Sequence, residues 1–265
     1  MGLFLGILEG ALCVILHVRM CKREVPQSMG KKAVVPVALG LFAPLFSTAL
    51  LVGMGIIAAQ IVGSQNQSLV DVVPTYTLKS FAAAFMGAAF PEELIKFLFL
   101  LLSIKLVKPK SIYECGLLGV GVGTGFTFLE EMLYGGTNIV NALVRMPFFA
   151  MHLVFNLITA LFLGLALYEK RSGRGGKKYD VLAFVVPVLW HTTFDAATTF
   201  NKVLQTGLDT EDVFLRNAGA AFGLIVIVVS IALQVWLLIQ YKKRTEDLCA
   251  MKLSRQSSRP RHSKS

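Results

Sequence analysis

An apolar run from Phe85 to Ile104, FMGAAFPEELIKFLFLLLSI, carries three charged residues near its middle. A charged side chain at the centre of a bilayer costs roughly 2.5–3.5 kcal/mol on insertion scales, and such residues usually mark a functional site. Glu92 and Lys96 are four residues apart, so one helix face carries both, while Glu93 points elsewhere. Pro91 removes a helical hydrogen bond and predicts an irregular turn beside a cavity. The alternative is a salt bridge that only joins two helices.

The composition of the chain places it among membrane proteins. It is 55% apolar and only 16% charged, and its mean hydropathy is +0.65, whereas an ordinary soluble domain is far more polar. Several apolar runs are long enough to cross about 30 Å of hydrocarbon. The prediction is therefore an all-α, polytopic transmembrane helical bundle in the cell membrane. Its seven predicted spans lie near residues 1–18, 34–62, 80–104, 115–136, 147–168, 181–200 and 217–241.

The Lys and Arg residues predict how these spans are oriented. With seven spans, 21 of the 26 fall on one side of the membrane, four on the other, and Lys96 lies inside a span. Cytoplasmic loops carry the excess of positive charge, so the N-terminus is predicted outside and the C-terminus in the cytoplasm. Residues 1–241 form the predicted bundle, and 242–265 a basic, disordered cytoplasmic tail suited to anionic lipid. Because the basic residues are spread over four membrane-adjacent segments, no nucleic-acid partner is expected.

A glycine-rich stretch, CGLLGVGVGTGFTFLEEMLYGG, fills the predicted span 115–136. Its spacing does not match the phosphate-binding pattern G-x-G-x-x-G, and no strand is predicted before it. Small residues four apart instead predict a surface for close helix packing. The stretch also carries a second pair of membrane carboxylates, Glu130 and Glu131.

Two further predicted spans carry polar pairs at helical spacing: His152 with Asn156, and His191 with Asp195. A lone membrane histidine is usually a hydrogen-bonded packing residue, but two of them, with carboxylates on two other spans, favour a site. Counted at about 1.5 Å per residue from the outer span ends, the ionisable groups of these four spans fall between the midplane and the outer face. The sequence thus predicts one shared cavity open towards the outside. Glu9, in the first span, is interpreted as peripheral.

Four short motifs, in this order and spacing, resemble the PrsW family of intramembrane proteases. They are P-E-E-L-I-K, G-F-T-F-L-E, R-x6-H from Arg145 to His152, and H-T-T-F-D. That family is related to the CAAX prenyl endopeptidases and, more distantly, to the Aph subunit of gamma-secretase. The resemblance covers residues 80–200, the protease-like core of the predicted bundle. In the family the two glutamates of E-E-x-x-K and the last histidine carry activity, which implies such roles for Glu92, Glu93 and His191.

The second motif matches the family less completely. Phe126 and Glu130 correspond to the family's F-x-x-x-E pattern. The family usually has Asn after this glutamate, whereas this chain has Glu131. This departure leaves open the local hydrogen bonding and the protonation of Glu130.

Hydrolysis of a peptide bond inside a membrane needs a water molecule, a base that activates it and donors for the developing oxyanion. Glu92 is the predicted general base, with Glu93 as its partner or support. His191 is predicted to bind the oxyanion or hold the water, and Glu130 to orient either of them. Asp195 is predicted to fix the tautomer of His191. Supporting roles are expected for Lys96, Phe126, Arg145 and His152.

The sequence leaves the need for a metal ion open. His and Glu ligands on helices suit zinc, and the candidate ligands are Glu130, His152 and His191. The zinc-protease motif H-E-x-x-H is absent from the chain. A metal-free, glutamate-type mechanism is the favoured reading of the two.

The predicted function is that of an intramembrane endopeptidase. Its expected substrate is a membrane-anchored protein, of the anti-sigma-factor or peptide-precursor type, cut near its extracytoplasmic juxtamembrane segment. Two other classes stay open: an inactive membrane scaffold of the Aph kind, and a proton-coupled transporter, since buried Glu, His and Lys also form proton relays. The intact E-E-x-x-K motif argues against the scaffold, and the lack of a visible inverted repeat argues against the transporter.

Overall fold

The structure, a computed structural model, describes residues 2–24, 29–61, 76–135, 139, 145–202 and 213–253. Every regular element within these ranges is a helix, and none of the described residues forms a β-strand beyond one isolated bridge between Ser111 and Lys252. The predicted all-α class is therefore confirmed.

The helices follow one another in the order in which the apolar runs occur. Short 3₁₀ turns at Gly30–Ala33 and Met146–Phe148 precede two of them, and a π-helix at Phe85–Ala89 joins two others. The α-helices are α1 (Gly2–Glu24), α2 (Val34–Ile61), α3 (Tyr76–Ala84), α4 (Phe90–Val107), α5 (Ile112–Gly135), α6 (Met151–Arg171), α7 (Lys177–Ala197), α8 (Val213–Lys243) and α9 (Thr245–Ala250).

Five helical stretches of the described chain are long and apolar enough to cross a membrane. They are Gly2–Lys22, Gly30–Ile56, Ile112–Tyr134, Met146–Arg171 and Arg216–Lys243. The α3–α4 stretch and α7, which carry two of the predicted charged motifs, are not among these five. Several membrane-length helices are thus present as predicted, while the count of seven spans and their orientation stay predictions.

Helix α5 lies at the centre of the bundle, packed against α1, α2 and α6. Its glycines allow this close approach. A Cβ added at Gly119 would collide with the carbonyl oxygen of Asn156 in α6, and one at Gly125 with that of Val37 in α2. The glycine-rich stretch is therefore a helix-packing surface, and its C-terminal turns bring Glu130 and Glu131 towards the neighbouring helices.

The irregular turn predicted from Pro91 takes the form of the π-helix. Pro91 stands at the start of α4, and the N–H of Phe90 donates to the carbonyl of Phe85, five residues earlier. Single π-helical turns inside helices are often found at functional sites because they re-aim the following side chains. This turn immediately precedes Glu92 and Glu93.

The predicted tail 242–265 is ordered over its first part, up to residue 253. Helix α9 folds back on the start of α5, where the N–H of Leu253 donates to the carbonyl of Lys110 at 2.7 Å. Leu253 is buried, and the Tyr241 hydroxyl donates to the carbonyl of Tyr113 at 2.6 Å. The apolar residues Leu248, Met251 and Leu253 in this segment account for the packing. Residues 254–265 lie outside the described part of the chain.

Candidate active site

A cavity of about 730 Å³ lies within the bundle, between α2, the π-helix, α4, α5, α6, α7 and α8. Its lining is mainly apolar, and its ionisable side chains are mostly ones that the sequence singled out. Six of the predicted site residues line it: Glu92, Glu130, Arg145, His152, His191 and Asp195. Glu93 and Lys96 are not among the lining residues. The fold therefore brings the polar groups of four helices to one place.

Lys96 is the buried cation that joins these groups. It has no exposed surface, and its Nζ lies 2.6 Å from Oε1 of Glu93 and 2.9 Å from Nδ1 of His152. The Phe126 ring lies beneath the ammonium group, 4.1 Å from Nζ to the ring centroid. An ammonium has three donors and no acceptor, so these contacts account for its position without water.

The two adjacent glutamates have different surroundings. Glu93 is buried, and its Oε1 binds both Lys96 and Nδ1 of His191, the latter at 2.9 Å. Glu92 faces the cavity, 3.6 Å from the Lys96 ammonium and 3.9 Å from Nε2 of His191. Its Oε2 is buried and finds no hydrogen-bond donor among the described residues. Glu92 thus offers the free carboxylate, and Glu93 the bound one.

His191 is held on both sides of its ring. Glu93 accepts the hydrogen bond from Nδ1, and Oδ2 of Asp195, one turn along α7, lies 3.4 Å from Nε2. The ring of Phe155 stacks on it with centroids 5.1 Å apart. Glu93 is therefore the closer of the two carboxylates to the imidazole, and the role of Asp195 in fixing its tautomer stays a prediction.

Both ring nitrogens of His152 are engaged. Because the Lys96 ammonium can only donate, Nδ1 of His152 accepts, and the proton sits on Nε2. That Nε2 lies 2.6 Å from Oε2 of Glu130. The Phe126 ring packs against His152 with centroids 4.6 Å apart. His152 therefore joins the Lys96 cluster to the carboxylates of α5.

Arg145 binds the two carboxylates at the end of α5. Its guanidinium holds Glu131 through two nitrogens, at 2.8 and 2.9 Å, and lies 3.1 Å from Oε1 of Glu130. It also lies over the ring of Tyr134, 4.3 Å from the centroid. A continuous chain of contacts thus runs from Arg145 through Glu130, His152 and Lys96 to the two glutamates of α4.

The motifs that form this cluster all lie inside the segment that matches a known family. The family model described as "PrsW family intramembrane metalloprotease" matches residues 43–238, most of the chain. The chain belongs to the PrsW family. The resemblance noted from the four motifs is thereby confirmed.

A curated relative supports the same assignment. The Protease PrsW of Bacillus subtilis (strain 168) is 31% identical over 124 residues, which cover 45% of this chain and 56% of the relative. The match thus spans little more than half the length of that relative. No solved structure matches the chain.

The family description raises the question of a metal, and three donor groups of this PrsW-family chain lie close together. One ligand atom each from Glu92, His152 and His191 falls within 4.8 Å of the others. The sequence had proposed Glu130 as a ligand, but the structure groups Glu92 with the histidines. Neutral imidazole nitrogens with a free lone pair are the ligands that zinc needs.

The arrangement of His152 does not fit such a site. Its Nδ1 lone pair accepts from Lys96, which puts the proton on Nε2, 2.6 Å from Oε2 of Glu130. A metal ion at this nitrogen would also have to displace an ammonium group 2.9 Å away. As arranged, the donor set offers one imidazole nitrogen, Nε2 of His191, and one carboxylate, which is fewer than the three protein ligands of catalytic zinc.

One buried carboxylate of this neighbourhood was missed by the sequence analysis. Glu9 of α1, interpreted there as peripheral, has no exposed surface and lies beside Glu131. The signal that could have revealed it is its position between Gly6 and Gly10, two small residues on a helix that must pack closely.

Proposed function

We propose that the protein is an intramembrane endopeptidase in which Glu92 activates the attacking water. The observation that carries this proposal is the buried Oε2 of Glu92, which accepts no hydrogen bond from the described residues and faces the cavity, 3.6 Å from the Lys96 ammonium and 3.9 Å from Nε2 of His191. A carboxylate without a donor in a site of low polarity is a strong base for a water molecule placed beside it.

The reaction follows from these positions. Glu92 takes a proton from the water as its oxygen attacks the carbonyl carbon of the scissile bond. The tetrahedral intermediate then collapses, and the protonated Glu92 returns the proton to the leaving amine. His191, held by Glu93 at Nδ1, presents Nε2 to the cavity, where it holds the water when neutral and donates to the oxyanion when protonated.

The remaining polar residues position this pair. Lys96 and Glu93 form a buried ion pair behind His191, and His152 links Lys96 to Glu130. Asp195 lies 3.4 Å from Nε2 of His191, the nitrogen that faces the cavity, and limits the movement of the ring. Each step uses groups of the chain itself, so the proposal is a glutamate-type rather than a metal-dependent mechanism.

We assign the chain to the cell membrane with seven spans, the N-terminus outside and the C-terminus in the cytoplasm. Five stretches support this by length and composition, and the charge bias of the loops supports the orientation. We count the α3–α4 stretch and α7 as the other two spans, because both pack against the membrane-length helices and bury Glu93, Lys96 and Asp195.

The walls of the cavity support the proposed substrate class. Thr48 and Leu51 of α2 and Leu224 of α8 line it, and Leu224 is 64% exposed on the outer surface of the bundle. An apolar cavity with a lipid-facing edge suits a segment of a membrane-anchored protein, of the anti-sigma-factor or peptide-precursor type. A cut near the extracytoplasmic juxtamembrane segment is favoured, since backbone there is easily unwound.

The experiment that tests this function is cleavage of single-span reporter proteins by the purified protein in liposomes. Wild-type protein should cut at least one reporter, and Glu92→Gln should cut none at equal amounts of inserted protein. Glu169→Gln, which changes a carboxylate paired with Arg174 far from the cavity, is the matched control and should cut normally. An uncut reporter panel would favour the scaffold, and proton flux without cleavage would favour the transporter.

A further inference from the structure

Helix α1 lies outside the matched segment 43–238, yet it packs against two segments that carry site residues. A Cβ at Gly6 would collide with the backbone carbonyl of Glu131, and one at Gly10 would meet the Phe128 ring. The Cys13 thiol donates to the carbonyl of Phe149 at 3.2 Å, just after the segment that carries Arg145. Residues 6–13 of α1 are thus in direct contact with the region of Glu131 and Arg145.

Glu9 lies in the middle of this contact. It has no exposed surface, and neither of its carboxyl oxygens has a hydrogen-bond donor among the residues that the structure describes. The backbone of Glu131 lies against Gly6, less than one helical turn before Glu9, and the carboxyl groups of Glu9 and Glu131 are close enough to interact with each other and with Arg145. An isolated buried carboxylate would be very costly, and two adjacent carboxyl groups avoid that cost when they share one proton.

The local charges lead to the same conclusion. One guanidinium, that of Arg145, is in contact with the carboxylates of Glu130 and Glu131. A third ionised carboxylate at Glu9 would leave an uncompensated negative charge in a buried site. A proton between Glu9 and Glu131 removes that charge and supplies the hydrogen bond that the Glu9 oxygens otherwise lack.

We propose that Glu9 is a positioning residue whose protonated carboxyl group donates a hydrogen bond to the carboxylate of Glu131. The hydrogen bond holds Glu131 against Arg145, which in turn holds Glu130 on His152. Where the family pattern usually has Asn, this chain has Glu131, and Glu9 supplies the neutral, donating group that this change requires. Of the two tests below, only the second, which measures cleavage, rests on the proposed function.

The first test of this pairing needs no substrate. Infrared spectra of the purified full-length protein in liposomes should contain the carbonyl stretch of a protonated carboxyl group, and this band should be lost in Glu9→Gln. Glu114→Gln is the matched control, because Oε2 of that buried carboxylate already accepts from the N–H of Lys110 at 2.8 Å. Identical spectra for wild type and Glu9→Gln would overturn the proposal.

The second test uses cleavage of the reporter on which wild type is active. Glu9→Ala should lower cleavage roughly tenfold or more, since a hydrogen bond to a charged group is lost, whereas Glu9→Gln should retain most activity because its amide still donates. In a Glu131→Asn background, Glu9→Ala should cause no further loss. Equal losses in Glu9→Gln and Glu9→Ala, or additive losses in the double variant, would refute a donor role.

These outcomes stay separate from those of the proposed function. If wild type cuts no reporter, the endopeptidase proposal fails, while the infrared band still decides whether Glu9 carries the proton. If Glu9→Ala does not insert into the membrane, the isosteric Glu9→Gln carries the infrared test alone.

Discussion

The Nδ1 atom of His191 lies 2.9 Å from Oε1 of Glu93, across 98 residues of sequence. The same oxygen lies 2.6 Å from the ammonium of Lys96, so the carboxylate of Glu93 is occupied on the side away from the cavity. The neighbouring Glu92 keeps an oxygen without a donor among the described residues. The proposed mechanism therefore gives two consecutive glutamates of one motif separate tasks, one structural and one chemical.

The first prediction is that substitution of Glu92 removes activity but leaves the stability of the protein unchanged. Glu92→Gln should abolish reporter cleavage, because the amide keeps the shape of the side chain and removes the base. Its resistance to denaturant should stay close to that of wild type, since Glu92 makes no contact with Lys96 shorter than 3.6 Å. Cleavage of a reporter and unfolding in detergent are measured on the same preparation. Full activity in Glu92→Gln would place the base elsewhere.

The second prediction concerns the buried pair of Glu93 and Lys96. Removing one partner leaves an uncompensated buried charge, so Glu93→Gln and Lys96→Met should each lower the free energy of unfolding by about 3–5 kcal/mol. The double variant should lose clearly less than the sum of the two, because no charge is then left unpaired. The free energies of unfolding of wild type, both single variants and the double variant are measured with denaturant, and together they give the coupling between the two side chains.

A surface pair provides the control for that cycle. Glu169 and Arg174 are in contact at 2.7 Å at the surface, where Arg174 is exposed and Glu169 partly exposed, so Glu169→Gln should change stability far less than either buried substitution. Additive losses at Glu93 and Lys96 would show that the two side chains act independently, contrary to their 2.6 Å contact.

Helical periodicity predicted a large part of this site. The spacing of His191 and Asp195, and that of Glu92 and Lys96, placed each pair on one helix face, and the similar depth of these groups predicted one shared cavity. Periodicity cannot tell which glutamate of an adjacent pair faces the cavity, because that depends on how α4 is rotated against α7. The π-helix before Pro91 sets this rotation.

Other features escaped the sequence because they depend on contacts between distant segments. Glu9 became part of the site only through the packing of α1 on α5 at Gly6 and Gly10. The order of residues 245–253 depends on the hydrogen bonds of Leu253 and Tyr241 with the start of α5. The many charged residues of this segment predicted disorder. The packing of Leu248, Met251 and Leu253, which are buried or half-buried, orders it instead.

The third prediction concerns the metal. With both nitrogens of His152 engaged, prolonged treatment with a strong chelator should leave cleavage unchanged, and the purified protein should contain no stoichiometric zinc. Elemental analysis and reporter cleavage before and after chelation measure this, with a known zinc protease treated in parallel. Loss of activity that zinc alone restores would contradict the prediction and make Glu92, His152 and His191 the ligands.

The last prediction joins the orientation of the chain to the position of the cut. A cysteine introduced at Gln67, which lies outside the described residues, should react with an impermeant thiol reagent applied from outside, and one at Gly173 should not. The four native cysteines are replaced first, although Cys13 and Cys115 are buried and Cys21 and Cys249 partly so.

With the outside face so defined, mass spectrometry of the reporter products should place the cut at the outer end of the substrate's span, because the polar cluster is predicted to lie in the outer half of the membrane. Labelling at Gly173 alone, or a cut on the cytoplasmic side, would mean that the bundle is inverted and that the positive charges of its loops do not set its orientation.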